Sequence, residues 1–208
     1  MADKQRKPIS WKRAAVFAVS SIVALAVLGF SSGLFDKLNS GSETDSKNST
    51  EKAETLEAKT YKYEGDGFSV KLLEEPEISS EQMTIEGVSV PITFYQTADS
   101  YASFQVSLVT YPQESQLNED SSVVLEGAAR GSISNLSGTL DSSENLEVQG
   151  NPARDVVISG KDSASGREVT AQARYILVDR TLYTILGLSE KGNANKDFST
   201  YRDSFTLL

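Results

Sequence analysis

The sequence predicts an α+β domain, an antiparallel β-sheet with helices packed on its faces, preceded by one transmembrane helix. Three observations predict it. An uncharged run of 22 residues, Ala14 to Phe35, stands near the start of the 208-residue chain. From Tyr61 onward apolar residues recur at every second position, in short runs joined by hairpin-length turns, which is the pattern of half-buried antiparallel strands. That period changes to helical spacing twice, once mid-body and once at the end. Helices that follow blocks of strands, rather than alternating with them, give α+β layers.

The apolar run divides the chain. At about 1.5 Å per residue it spans about 33 Å, enough to cross a hydrocarbon core, where a backbone must bond to itself and so is helical. Lys4, Arg6, Lys7, Lys12 and Arg13 precede it against one acid, Asp3. This asymmetry predicts a cytoplasmic basic tail over 1–13, a single-pass signal-anchor over 14–35 and an extracytoplasmic C-terminal domain. Trp11 is placed for the inner interface. The alternative is a cleaved signal and a secreted body, but the run exceeds the usual apolar region of about 7 to 15 residues. Its small-x-small site at Gly29 and Ser31 is poor, and with no cysteine in the chain no lipoprotein lipid attaches.

Residues 36–59 have no aromatic side chain and much Ser, Thr, Glu and Lys, the composition of a flexible linker. Residues 60–208 then form one domain, large enough to build a core without disulfides. Phe68, Val70 and Leu72 alternate with Ser69, Lys71 and Leu73, and Pro76 ends the run. Met83 and Ile85 lead through Glu86-Gly87 into Val88, Val90, Ile92 and Phe94. Pro91 cannot donate to a ladder, which predicts an edge position for that strand. Phe104, Val106 and Leu108 follow, stopped by Tyr111-Pro112. After a polar capping stretch from Asn118 to Ser122, Val124, Leu125, Ala128, Ala129, Ile133 and Leu136 recur at helical spacing. Gly127 and Gly131 each cost about 1 kcal/mol against Ala, yet give that helix a small-residue face for close approach to a sheet. A Ser- and Asp-rich loop is expected before Leu146 and Val148, then a turn at Gly150-Asn151-Pro152 and a strand through Val156 and Ile158. Residues 161–166 turn it into the longest alternation, Val169, Ala171, Ala173, Tyr175 and Leu177, with Glu168, Gln172 and Arg174 opposite. Asp179-Arg180 makes a tight turn into Leu182 to Leu188, apolar on both faces, which predicts a helix on each side of the sheet. Phe198, Tyr201 and Phe205 at i, i+3 and i+7 predict a closing helix. About eight strands result.

The charge and residue inventory excludes much chemistry. The net charge is -9; residues 1–13 carry five basic and one acidic side chain, and residues 36–208 carry 15 and 28, a net of -13 for the body. Such a body argues against nucleic acid as a partner. Zero His and zero Cys remove Ser-His-Asp and Cys-His triads, HExxH zinc sites and thiolate ligands. Residues 187–192 have phosphate-loop spacing, but Asn193 stands where lysine is required. Asn48-Ser49-Thr50 and Asn135-Leu136-Ser137 fit a glycosylation sequon, a pattern common by chance. Two acidic groups remain, Glu74, Glu75 and Glu77 after one strand and Asp141, Glu144 and Glu147 before another. Oxygen ligands of this kind suit Ca²⁺, but neither group has EF-hand spacing, and solvated loop charge is the plainer account. Tyr61, Tyr63, Tyr95, Tyr101 and Tyr111 are candidates to line a binding face, though alternate strand tyrosines more often pack half-buried. No catalytic, cofactor-binding or metal residue is assigned, and no cofactor is expected.

The order of elements resembles the PsbP family, the extrinsic photosystem II proteins and their bacterial relatives, including DcrB-like envelope proteins. The resemblance covers about 61–208 and rests on Gly67-Phe68-Ser69-Val70 followed by Pro76, on Gly150-Asn151-Pro152-Ala153, on Val178 to Tyr183 as a hairpin, and on Phe198 to Phe205 ending in Ser204-Phe205. It implies a PsbP-like α/β/α sandwich and non-enzymatic service to a larger assembly. The family's metal sites use histidine in part, so none carries over, and the anchor and long linker depart from photosynthetic members. The expectation is therefore a membrane-anchored, extracytoplasmic binding or assembly-support module of a bacterial envelope, without catalytic activity. Its partners would be the membrane, through the N-terminal helix, and a membrane protein or envelope component near the surface. The alternative is a carboxylate-dependent hydrolase or other envelope enzyme.

Overall fold

The computed structural model describes residues 61–208 except 86, 99–101, 114–119, 162–165 and 192–197. The expected tail, anchor and linker lie outside the described residues. The elements in chain order are β1 (Tyr61–Gly65), β2 (Phe68–Leu72), β3 (Glu77–Ile85), β4 (Val88–Ala98), β5 (Ala102–Thr110), α1 (Ser121–Asn135), β6 (Thr139–Val148), β7 (Asn151–Lys161), β8 (Glu168–Val178), β9 (Thr181–Glu190), α2 (Phe198–Asp203) and β10 (Thr206–Leu207).

The described strands make two sheets. Seven form the body in the order β3-β4-β5-β9-β8-β7-β6, and three form a small sheet, β1-β2-β10. Every pairing is antiparallel. The large sheet consists of two meanders, β3 to β5 and β6 to β9, that meet where β5 pairs with β9. The chain leaves β5 through α1, starts again at the far edge and winds inward. This makes β9 a central strand, buried from Leu182 to Ser189, as its apolar run on both faces requires.

One face of the sheet is covered by α1, which lies over β7 and β8. Asp120 is its N-cap, accepting from the Ser122 amide at 2.9 Å and so satisfying one of the orphan amides of the first turn. Val124, Leu125, Ala128 and Ala129 join one core with Val169, Ala171, Ala173, Tyr175 and Leu177 of β8 and with Leu182, Leu186 and Leu188 of β9. Gly127 and Gly131 are buried as well. Ser132 Oγ and the Tyr175 hydroxyl meet at 2.6 Å between α1 and β8.

The other face corrects the α/β/α expectation. A second core there joins Phe68, Val70 and Leu72 of β2 to Tyr95, Phe104, Val106, Tyr183 and Ile185 of the large sheet and to Phe198, Tyr201 and Phe205. The cover is thus a small sheet with one short helix, where the sequence pattern suggests a helix alone. The reason lies in β2, whose Phe68, Ser69, Val70 and Leu72 are all buried, too apolar for an exposed strand and too short for an added edge. It folds back on β1 through Asp66-Gly67, both at positive φ (51° and 82°), the backbone of a two-residue hairpin turn. β10 pairs with its other side, which raises the described strand count to ten. α2 ends at Asp203, so Phe205 docks just beyond the helix, its ring stacked on Phe68 at 5.4 Å and 18°. Pro91 also differs from expectation, since β4 is the second strand of the sheet. Pro91 sits opposite Gln82 of β3, but the β4–β5 ladder begins only at Ile92. It therefore occupies a local edge where the strand has run past its neighbour.

Candidate functional site

The small sheet and α2 cover the inner strands and leave the middle of β6 and β7 open on the same face. Glu144 there is exposed, and Asp155 and Val157 are half-buried. Beside α2 this leaves a cleft of about 430 Å³ lined by Ser142, Glu144, Asp155, Val157, Gln172, Phe198 and Arg202. Register places the floor: Glu144 stands opposite Asp155, and Ser142 opposite Val157; Asp155 in turn faces Arg174, and Val157 faces Gln172.

The wall is an ion network. Arg174 grips Asp155 with its fork, Nε to Oδ1 at 2.7 Å and Nη2 to Oδ2 at 2.8 Å, the bidentate geometry that suits a guanidinium to a carboxylate. From α2, Arg202 Nη1 reaches the same Oδ2 at 3.1 Å, and its Nε binds Asp203 Oδ1 at 2.8 Å. Arg174 Nη1 lies 3.6 Å from that Asp203 oxygen. The Arg202 guanidinium stands 5.8 Å from the Phe198 ring centroid. Hydrogen bonding to Arg202 is the main cause that holds the Asp203 carboxyl below the ordinary aspartate range, and the bond to Asp203 raises Arg202 in return. The two arginines and two aspartates fasten a six-residue helix to the sheet at the cleft wall.

α2 sits this close because Gly187 of β9 has no side chain. A Cβ there would meet the Phe198 ring, 3.1 Å from Cε2, 3.2 Å from Cγ and closer still to Cδ2. Gly187 and Ser189 lie inside β9, so the phosphate-loop spacing marks a packing contact. The Asn135 amide nitrogen is buried, which closes the 135–137 sequon in the folded chain; Asn48 lies outside the described residues.

The acidic groups do not converge. Asp141, Glu144 and Glu147 belong to β6, correcting the loop reading, because a run of polar side chains suits an edge strand open on both faces. Asp141 occupies a bulge and accepts from Ser159 Oγ at 2.5 Å. Glu144 faces the cleft, while Glu147 pairs with Pro152, one position out of phase with Leu146 and so on the opposite face. Glu74 and Glu75 are exposed, and Glu77 begins β3. Among the described residues no group of three acidic side chains is arranged to hold a metal ion.

The tyrosines divide as well. Tyr61 is exposed, Tyr95 and Tyr111 are buried, and Tyr101 lies outside the described residues. Tyr63 donates to Asp66 Oδ2 at 2.9 Å, and Tyr95 donates to the same oxygen. Tyr95 is chief among the causes that lower the Asp66 carboxyl, while burial is the main cause that raises the Tyr95 hydroxyl. This cluster pins the β1–β2 turn to β4 and so seats the small sheet. The residues missed in the sequence are Asp155, Arg202 and Asp203. Arg174 was legible on the polar face of its strand, but its partners stand 19 and 29 positions away, and only the register of β7 and the docking of α2 join them.

A seven-stranded antiparallel sheet with a helix on one face and a small sheet on the other, open along one edge, defines an α+β domain with a half-covered face. The fold is similar to that of cyanobacterial PsbP (CyanoP) from Synechocystis sp. PCC 6803, with 13% identity, 76% of this chain and 99% of that one covered, and a TM-score of 0.47. It is also similar to PA94 of Pseudomonas aeruginosa, a protein of unknown function, with 7% identity, 69% and 92% covered and a TM-score of 0.42. These likenesses concern the fold. No family model and no curated protein matches the sequence.

Proposed function

We propose that this protein is a binding or assembly-support module, held outside a membrane by residues 14–35, that meets its partner at the cleft of β6, β7 and β8 without chemistry of its own. The ion network at the cleft wall carries this reading. Asp155 is held by two guanidiniums, and hydrogen bonding to Arg202 holds the Asp203 carboxyl below its ordinary value. A general acid needs a carboxyl that keeps its proton near neutral pH; the shift at Asp203 runs the other way, and both carboxylate oxygens of Asp155 are committed to guanidiniums. Such a network is suited to presenting fixed charge and hydrogen-bonding groups to a surface. Read from its composition as a linker, the stretch 36–59 would have an r.m.s. reach of about 25 to 30 Å, so partners would stand close to the membrane. Tethering at that distance raises effective concentration and lets a weak interface suffice.

The test is site-specific photo-crosslinking from position 172 in the native membrane. A discrete crosslinked membrane or envelope protein, lost when Arg202→Ala disturbs the wall, is expected. A substrate turnover abolished by Glu144→Gln would overturn the reading in favour of an enzyme. The orientation is checked separately: protease added to intact spheroplasts should digest the domain, and protection of the whole domain until lysis would refute it.

A further inference from the structure

We infer that the outer edge of β6 is a docking strand for an extended basic segment of another polypeptide, which joins the large sheet as an eighth strand with a lysine or arginine beside the cleft. β6 ends the sheet, and among the described residues no strand pairs with its outer side. Every second residue of such an edge directs its backbone N–H and C=O outward. After the bulge at Asp141 the register with β7 is unbroken over 142–148, so the open template is straight for seven residues.

This edge is held in place. At the hairpin tip, Gln149 donates from Nε2 to the Leu207 carbonyl at 3.2 Å and accepts from the Leu207 amide at 2.7 Å, which ties the β6–β7 turn to the small sheet. At the other end Lys161 of β7 donates its amide to the Leu136 carbonyl at 2.9 Å. A rigid template loses little entropy on pairing. At the opposite edge β3 is backed by both β4 and β5 over Glu77 to Glu81, but from Gln82 to Ile85 it runs on with β4 as a two-stranded arm with no third described strand behind it, a poorer platform.

Charge selects the occupant. β6 reads TLDSSENLEV, with Asp141, Glu144 and Glu147 and no basic residue. An antiparallel pair of two β6 strands centred on Glu144 would set acid against acid, which is destabilising, and any register brings the acids of both copies and no basic residue to one seam; a second copy is therefore disfavoured. A basic strand is favoured on both faces. In an antiparallel addition the partner residue opposite Glu144 lies on the cleft face, and a long cationic side chain there extends over Ser142 and Glu144. The residue opposite Leu146, which is half-buried, would be apolar, and that opposite Glu147 basic. The recognised pattern, read N to C, is basic–apolar–any–basic. Backbone bonds supply affinity and alternate side chains supply specificity, as in strand addition generally.

The inference rests on the binding-module reading and is tested apart from it. The probes are a fluorescent peptide repeating Lys-Val-Thr-Lys and two versions N-methylated on alternate residues, one in each phase, all of the same charge. With the full-length chain, fluorescence anisotropy should show the parent binding. One methylated phase should weaken it at least tenfold and the other should leave it within twofold, while Glu144→Gln and Glu147→Gln each weaken it several-fold. The β6 amides should gain hydrogen-exchange protection only with peptide present. Equal binding by all three peptides would reduce the effect to bulk charge, no binding would remove it, and β6 protection with dimerisation in the absence of peptide would name a second copy as the occupant. Each of these overturns the inference. A crosslinked partner at position 172 in any of those cases leaves the module reading standing.

Discussion

Replacing Gly187 by Ala tests how the cleft is built. The residue sits in β9 opposite Phe104 and Gln172, under a Phe198 ring that is 2% exposed. A methyl group there enters the ring's position, and the ring can yield only by moving into the cleft it lines and away from its packing with Tyr201, 6.3 Å off. Overpacking of this kind costs about 1 to 3 kcal/mol. Loss of glycine's freedom in the unfolded chain returns about 0.4 to 1 kcal/mol, so the net destabilisation lies between about 0 and 2.6 kcal/mol, with a midpoint of about 1.3 kcal/mol. For a domain of this size that midpoint lowers Tm by about 3 to 5 °C. Phe198→Ala alone should cost about 3 to 5 kcal/mol, but in the double variant the added methyl fills part of the vacated space. The cycle measured by urea unfolding should therefore show a coupling of at least about 1 kcal/mol. A Gly187→Ala protein that melts at or above the wild type, with additive double-mutant energies, would show that α2 is not seated on Gly187.

Three further outcomes follow from named contacts. Asp155→Asn removes the carboxylate between two guanidiniums, one with a side chain 12% exposed, and should cost about 2 kcal/mol in urea unfolding; an unchanged midpoint would mean that the network is ornamental. Asp66 is more acidic in the folded chain than an unfolded aspartate at about 3.9. Its stabilisation is complete above that value and is lost as pH falls through the folded one. The stability difference between wild type and Tyr95→Phe should accordingly shrink on acidification below about pH 4, and a difference that grows instead would refute the assignment. Phe205→Asp places an unpaired carboxylate against Phe68 and Tyr183 and should cost about 4 kcal/mol or more, visible as loss of the cooperative melt; a wild-type melt would mean that the chain terminus is not docked.

Local patterns were legible wherever one face of an element meets a core. The alternation at Val169 to Leu177 and the spacing at Val124 to Leu136 are read directly as β8 and α1, because burial on one side leaves a period in the sequence. Turn chemistry was equally plain at Asp179-Arg180, where Asp179 takes a φ of 50°. The apolar run of β9 announced a central strand, but not what would cover it, since a small sheet and a helix present the same apolar surface to it. Sequence period also has nothing to say about β6. Its polar residues look like a loop, and they form a strand because β7 offers it a paired edge and solvent accepts both its faces.

The candidate site belongs to the tertiary structure. Asp155, Arg202 and Asp203 carry no local signal, and Arg174 shows only as part of a polar face, for an isolated charge in a strand or helix reads as solvated surface. Their meaning comes from strand register, which sets Asp155 opposite Arg174, and from the missing side chain at Gly187, which lets α2 bring Arg202 to both. The sequence alone determined the periodic faces, the turns and the acidic balance, because these are properties of neighbouring residues. Only the packed chain decided which distant charges meet and which edge stays open, because register and docking are settled by contacts between residues far apart in the chain.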